Sequence, residues 1–167
     1  MSASPAANSS TFTVTTPSDR EIRMSRVFDA PRALVFEAMT RPEHIRNWWG
    51  RLGEGYSVPV CEVDFRVGGK WRFVNRTPNG EDAVFYGEYR EIDAPARVVF
   101  TEIFEPFPDA VSIVTSELTE EHGKTRLTAT CQYPSREVRD MVRATGMERG
   151  AAISYDRLEE VARRLAL

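Results

Sequence analysis

Between Val58 and Tyr133 the chain reads as six short strands in a row, and this run limits the possible folds more than any other feature. The strands are Val58–Val67, Lys70–Arg76, Ala83–Ile92, Arg97–Phe104, Val111–Thr119 and Lys124–Tyr133. Between them stand Gly68-Gly69, Thr77-Pro-Asn-Gly, Asp93-Ala-Pro, Glu105-Pro-Phe-Pro-Asp and Glu121-His-Gly. Glycine, proline and the short polar residues end strands because they favour turn geometry. Strands joined by links this short pair with antiparallel neighbours.

The flanks of the run are of a different kind. Ile22, Met24, Arg26 and Phe28 share one parity and form a strand that ends at Asp29-Ala-Pro. Asp29 is placed to cap a helix and Pro31 suits its first turn. That helix carries Leu34, Val35, Ala38 and Met39 at three- and four-residue steps. Thr40 and Glu43 form a capping-box pattern for a second short helix, which carries His44, Ile45, Trp48 and Trp49 and stops at Gly50. Residues 51–57 are a loop. At the far end Ser135 caps a short helix through Ala144, and Gly146 stops it. Then Met147, Ala151, Ser154, Tyr155, Leu158, Val161, Ala162 and Leu165 line one face of an amphipathic helix of about five turns. Helices and a sheet segregated in this way make an α+β arrangement. A twisted sheet that curls around one long helix leaves a space, filled either by large side chains or by a ligand.

Composition closes off several classes. The 167 residues are enough for one domain with a real core. Nine Phe, five Tyr and three Trp exclude disorder over the whole length. No stretch approaches a membrane span. The net charge of −3 argues against nucleic acid as a partner. Of the twenty-two basic residues all but two are Arg, read as compositional habit before anion clamping. Residues 1–18 are almost all Ser, Thr, Ala, Pro and Asn, a flexible tail by composition. Phe12 and Val14 alternate with Thr, so the end of this tail can add an edge strand. Residues 19–167 are then a single domain. No secretory signal opens the chain, and Cys61 and Cys131 read as free buried thiols in a cytoplasmic protein. The sparse His and Cys give no metal site, and no phosphate-cradling glycine loop follows a strand, so no cofactor is expected.

Several segments resemble the SRPBCC, or START-like, helix-grip superfamily, and more closely its branch named after the activator of heat-shock protein 90 ATPase. They are Arg26-Val-Phe-Asp-Ala-Pro-Arg-Ala-Leu-Val-Phe-Glu-Ala-Met-Thr, Pro42-Glu-His-Ile-Arg-Asn-Trp-Trp-Gly, Asp64-Phe-Arg-Val-Gly-Gly-Lys-Trp-Arg-Phe, Gly87-Glu-Tyr-Arg-Glu-Ile, Gly123-Lys-Thr-Arg-Leu-Thr and Gly146-Met. They run in the family's order over residues 20–166. The resemblance implies a curved antiparallel sheet of about seven strands gripping a long C-terminal helix, two short helices after the first strand, and a cavity between sheet and helix. Members of the superfamily bind apolar molecules, and a minority catalyse cyclisation or hydrolysis. The branch name implies stress response and a cochaperone, and most of its bacterial members have no assigned reaction. The branch often carries a Trp shortly after Gly-Met. Here Met147-Glu-Arg-Gly-Ala-Ala puts a small residue there, which changes the cavity's shape.

The candidate site follows from strand parity. Trp71 and Phe73 share a face, as do Phe85, Gly87 and Tyr89. With Trp48 they either line a pocket or fill the core. Gly87 inside a strand marks a bulge or bend. Of the strand charges Asp64, Arg66, Arg72, Glu88, Arg90 and Glu102, most belong on a solvated face. Glu102, expected beside an Arg of a neighbouring strand, is the one to watch, because a carboxylate in an apolar cavity has a raised pKa. Its face depends on a parity that a one-residue slip would reverse. No nucleophile elbow or Cys–His dyad assembles, so no catalytic residue is named. The expected function is binding of a small apolar or amphipathic molecule by Trp48, Trp71, Phe73, Phe85, Tyr89, Glu102, Met147 and Tyr155. The alternatives are a protein-interaction module and a cyclase- or hydrolase-like enzyme. The tail and an edge strand are compatible with a homodimer, and Phe104-Glu-Pro-Phe-Pro-Asp with a lid or a partner-binding edge.

Overall fold

The computed structural model describes residues 11–167. The chain runs β1 (Thr13–Thr15), β2 (Glu21–Phe28), α1 (Arg32–Thr40), α2 (Pro42–Ile45), β3 (Ser57–Val63), β4 (Lys70–Arg76), β5 (Asp82–Asp93), β6 (Arg97–Phe104), β7 (Ser112–Glu121), β8 (Lys124–Gln132), α3 (Arg136–Ala144) and α4 (Met147–Leu165). Eight strands form one sheet in the order β1-β2-β8-β7-β6-β5-β4-β3. Every neighbouring pair is antiparallel. Because β2 and β3 lie far apart in that order, α1, α2 and the loop after them carry the chain across the sheet.

The strand count exceeds the expected seven by one. Val14 pairs with Met24 and sets β1 on the outer side of β2, the edge strand that the Phe12 and Val14 alternation foretold. Residues 1–10 of the expected tail lie outside the described residues.

Two expected helix caps are absent. α1 begins at Arg32, and Asp29 does not cap it. Glu120 of β7 does this instead, accepting from the Arg32 N–H at 2.6 Å. A carboxylate at a helix start satisfies an orphan donor and the dipole together. Thr40 and Glu43 do not form a capping box: α2 starts after Arg41, and Thr40 Oγ1 donates back to the Phe36 carbonyl at 2.8 Å. The Ser135 cap forms as expected, its Oγ accepting from the Val138 N–H at 3.1 Å.

α4 faces the inner side of the sheet with Tyr155, Leu158, Val161 and Ala162, all in the core with Ile22, Phe28, Leu118 and Leu127. Arg26, 2 % exposed, reaches Asp156 Oδ1 at 2.9 Å and Glu159 Oε1 at 3.6 Å from β2. Its guanidinium lies 4.9 Å from the centre of the Phe28 ring. Glu159 also accepts from the Asp29 N–H at 3.1 Å. A buried cation pinned by two carboxylates fixes the helix's rotation over β2, because any slip would strand a charge away from water.

Candidate functional site

The register of the sheet brings one row of side chains together across β3 to β7, with Tyr133 just past the end of β8. Val63 pairs with Trp71, and Trp71 with Gly87. Gly87 stands between the pairs Tyr86–Ile103 and Tyr89–Phe100, which sets it opposite Glu102. Glu102 pairs with Ser112, and Tyr133 follows Gln132, the partner of Ile113. The parity question is thereby answered. Glu102 alternates with Phe100 and Val98, and across from it Ser112 alternates with Val114, Ser116 and Leu118, which are buried on the inner face. Glu102 points inward.

Its neighbours in the row are small. Gly87 has no side chain, and a Cβ there would come within 1.8 Å of the Thr101 carbonyl oxygen and 2.8 Å of Trp71 Nε1. The glycine is there because the Trp71 indole crosses β5 at this point and donates to the Thr101 carbonyl of β6 at 3.1 Å. Glu88 N–H meanwhile turns to Thr101 Oγ1 at 2.9 Å. The bulge expected of Gly87 lies further along, between Tyr89 and Glu91. On the other side Ser112 Oγ donates to Glu102's own main-chain carbonyl at 3.0 Å.

Aromatic rings occupy the adjoining rows. Phe73 pairs with Phe85, and Phe85 with Phe104. Trp49 stands against Phe73 at 5.1 Å and Phe85 at 5.3 Å between ring centres. On the other side Tyr89 and Phe100 lie at 6.1 Å, and Trp71 meets Phe100 edge-on at 5.7 Å. Edge-to-face contacts of this kind are the preferred aromatic geometry.

The carboxyl of Glu102 is therefore set among apolar and small groups. Burial pushes its pKa up to about 7. No hydrogen bond or ion pair reaches its carboxylate among the described residues, and the arginine expected beside it is absent. Nevertheless part of its surface stays open. The titratable groups around it are neutral. Burial pushes the Cys131 thiol up to about 12, and it pushes the Tyr133 and Tyr155 hydroxyls upward as well. With a pKa near neutrality Glu102 can give or take a proton. No activated nucleophile accompanies it: Cys61 Sγ rests on the Pro42 carbonyl at 3.6 Å, His44 faces Glu37 at 3.4 Å, and His122 faces Glu121 at 4.0 Å.

The eight expected residues divide. Trp71, Phe73, Phe85, Tyr89 and Glu102 meet on the inner face, as above. Trp48 does not join them. It is buried under α1, with its indole N–H on the Ala38 carbonyl at 2.8 Å, and its neighbour Trp49 reaches the ring cluster instead. Tyr155 is core, edge-on to Phe28 at 5.8 Å and Phe12 at 5.9 Å. Met147 is partly buried at the start of α4. Sequence reasoning missed Phe100, Ser112 and Tyr133. The parity of β6 through β8, once aligned on Glu102, was the signal that would have found them. Of the other charges expected on strands, Glu88 pairs with Lys70 at 2.9 Å on the outer face, and Asp64 and Arg66 pair at 2.9 Å in the turn after β3.

Two open recesses lie elsewhere. One of about 410 Å³ sits between α1, α2 and the β3–β4 side, against Phe36, Thr40, Pro42, Val63 and Phe65. The Phe65 ring separates it from Tyr89, 5.0 Å behind. The other, about 600 Å³, is a charged hollow at the α3–α4 corner with Asp140, Arg143, Glu148 and Arg149. None of the eight expected residues lines either one.

The fold is shared with solved structures. A protein from Rhodobacter sphaeroides superposes with a TM-score of 0.82 at 24% identity, covering 92% of this chain and 99% of its own. One from Mycobacterium smegmatis gives 0.79 at 26% identity, covering 90% and 96%. An AHSA1-like protein from Aeromonas hydrophila gives 0.64 at 18% identity, covering 86% and 94%. These neighbours are the helix-grip fold that the resemblance implied. No curated protein matches the chain. The family model described as activator of Hsp90 ATPase homolog 1-like protein matches residues 29–163, nearly the whole folded region, and the chain belongs to that family.

Proposed function

We propose that this protein binds a small, mainly apolar molecule between the inner face of the sheet and α4, with Glu102 as its polar anchor. One observation carries the reading: a carboxyl points into the aromatic interior, keeps part of its surface open and has no hydrogen-bond or ion-pair partner among the described residues. A buried acid serving only the fold would be paired, because an unpaired one is costly. Binding would bury apolar ligand surface at about 25 cal/mol per Å². Phe73, Phe85, Tyr89, Phe100 and Trp71 supply the apolar walls. Residues 19–167 work as one domain in this reading, in a reducing compartment that suits two free, buried thiols.

The test is binding of the neutral fluorophore N-phenyl-1-naphthylamine, with native mass spectrometry for an adduct carried from the cell. Phe85→Ala should weaken the fluorophore's binding several-fold while the melting temperature changes little. Loss of the fold in that variant, with a clean apo mass and no fluorophore binding by the parent, would mean that the rings are ordinary core.

A second reading has its own observation. Phe104, Phe107 and Val111 are exposed together at the β6–β7 turn, Phe107 at 51 %. Phe104 stacks on Phe85 at 4.9 Å. An apolar tip of this kind suits a protein partner. A stable partner whose capture is lost in Phe107→Ser, in a protein that binds no small molecule, would favour it.

A further inference from the structure

We infer that the molecule held at Glu102 is an amphipathic amine, its ammonium group on the carboxylate and its apolar body among the rings; this rests on the cavity reading above. The argument begins with donors. An ionised carboxylate only accepts hydrogen bonds. The donors nearest along its row are already used: Trp71 Nε1 on the Thr101 carbonyl, Ser112 Oγ on Glu102's own carbonyl, and the Tyr133 hydroxyl against Cys131. Gly87 offers none. The group that completes the site must therefore bring donors.

Charge narrows the class further. The interior cation of this face is Arg26, and it is held by Asp156 and Glu159. It pairs in register with Leu127, which faces Leu118, six residues along β7 from Ser112, or roughly 20 Å away. Among the described residues no counter-cation therefore serves Glu102, and a ligand carboxylate or phosphate would meet a like charge. The rings on both flanks add to the preference, since their negative faces attract a cation. A neutral hydroxyl satisfies the geometry but lacks the charge match.

The groups that face Glu102 from other elements leave its charge unopposed. Cys131 of β8, Tyr133 just past its end and Tyr155 of α4 are neutral at physiological pH because burial pushes all three upward. Arg26 of β2 lies beyond Tyr155 and acts on that hydroxyl. Affinity for an amine should thus rise as Glu102 ionises around about pH 7.

The experiment compares n-octylamine, n-octanol and n-octanoate, equal in chain and different in head group, by calorimetry or tryptophan fluorescence. The parent should bind octylamine about tenfold tighter than octanol, the size of one charge-assisted hydrogen bond, with octanoate weakest. The octylamine affinity should climb from about pH 6 to about pH 8. In Glu102→Gln the amine preference and its pH dependence should vanish while octanol binding is kept. Octanoate binding as tightly as octylamine, or an amine preference that survives in Glu102→Gln, overturns the inference. Octanol binding without an amine preference overturns it while leaving the cavity reading standing. Failure of all three to bind overturns both.

Discussion

Gly87→Ala isolates the contact that shapes the site, and its effect can be worked from distances. Its Cβ would lie 1.8 Å from the Thr101 oxygen, a backbone atom, and 2.8 Å from Trp71 Nε1. Ordinary carbon–oxygen contact is about 3.3 Å, so β6 must retreat by roughly 1.5 Å. That retreat breaks the Trp71–Thr101 bond and strains the Glu88 N–H bond to Thr101 Oγ1. Two net hydrogen bonds are worth about 1 kcal/mol each, and overpacking adds about 1–3 kcal/mol. The expected destabilisation is therefore about 3–5 kcal/mol, read by urea unfolding followed by circular dichroism and tryptophan fluorescence. Gly80→Ala is the control. It meets nothing within 4 Å but has φ +85°, so only backbone strain of about 1 kcal/mol is expected there. If Gly87→Ala were no worse than Gly80→Ala, the indole crossing would not be what requires a glycine at this point of β5, and the account of the row around Glu102 would fail with it.

Arg26→Met should destabilise by about 3–5 kcal/mol in the same assay, because Glu159, 7 % exposed, would lose its ion pair with Arg26 while remaining buried. Adding Glu159→Leu should recover most of the loss, although the Asp29 N–H forfeits its acceptor; a double variant as unstable as the single one would refute that account. For Glu102 the folded pKa, about 7, exceeds the unfolded value near 4.5, so the folded state binds the extra proton. Stability should fall as pH rises from about 4.5 to about 7 and then level, by about 1–3 kcal/mol after allowance for screening at its open edge. Glu102→Gln should abolish that slope in urea titrations run across the range, and an unchanged slope would assign it to another group.

Much of this could be read in the sequence, and the reason is periodicity. Six strands and the α4 stripe showed because one face of each is buried and the other wet. The strand expected over Val58–Val67 is shorter in the structure: the chain leaves the ladder after Val63, where Asp64 and Arg66 form a turn by main-chain bonds to Lys70 and Gly69. The caps misled for a different cause. Asp29 and Thr40 had the right chemistry at the right spacing, but Glu120, distant in sequence, already held the start of α1, a tertiary contact no local pattern encodes. Trp48 and Trp49 could not be told apart, because adjacent residues in a helical turn point about 100° from one another and nothing local says which way the sheet lies. Strand-by-strand parity gave five of the site's members. The row that unites Gly87, Glu102, Ser112 and Tyr133 required the register between strands, which pairing fixes and composition does not.

Arg26 and Glu102 both stand on the inner face, and the fold treats them in opposite ways. Arg26 comes from β2 and meets two carboxylates of α4, so its charge is answered within the chain. Glu102 sits on the same face toward the other end of the strands, among residues too small or too apolar to answer it. Nothing about an antiparallel sheet requires a carboxyl there. Leu or Val would fit the alternation with Phe100 and Val98 and would add stability. Gly87 and Ser112 on either side add no bulk, so the row is smallest where the charge is placed. A paired interior charge explains how α4 is held, whereas one with no partner among the described residues lowers stability with no return to the fold. Under the proposal above, such a group serves what approaches from outside, and an acceptor without a donor among its described neighbours defines what that visitor would have to carry.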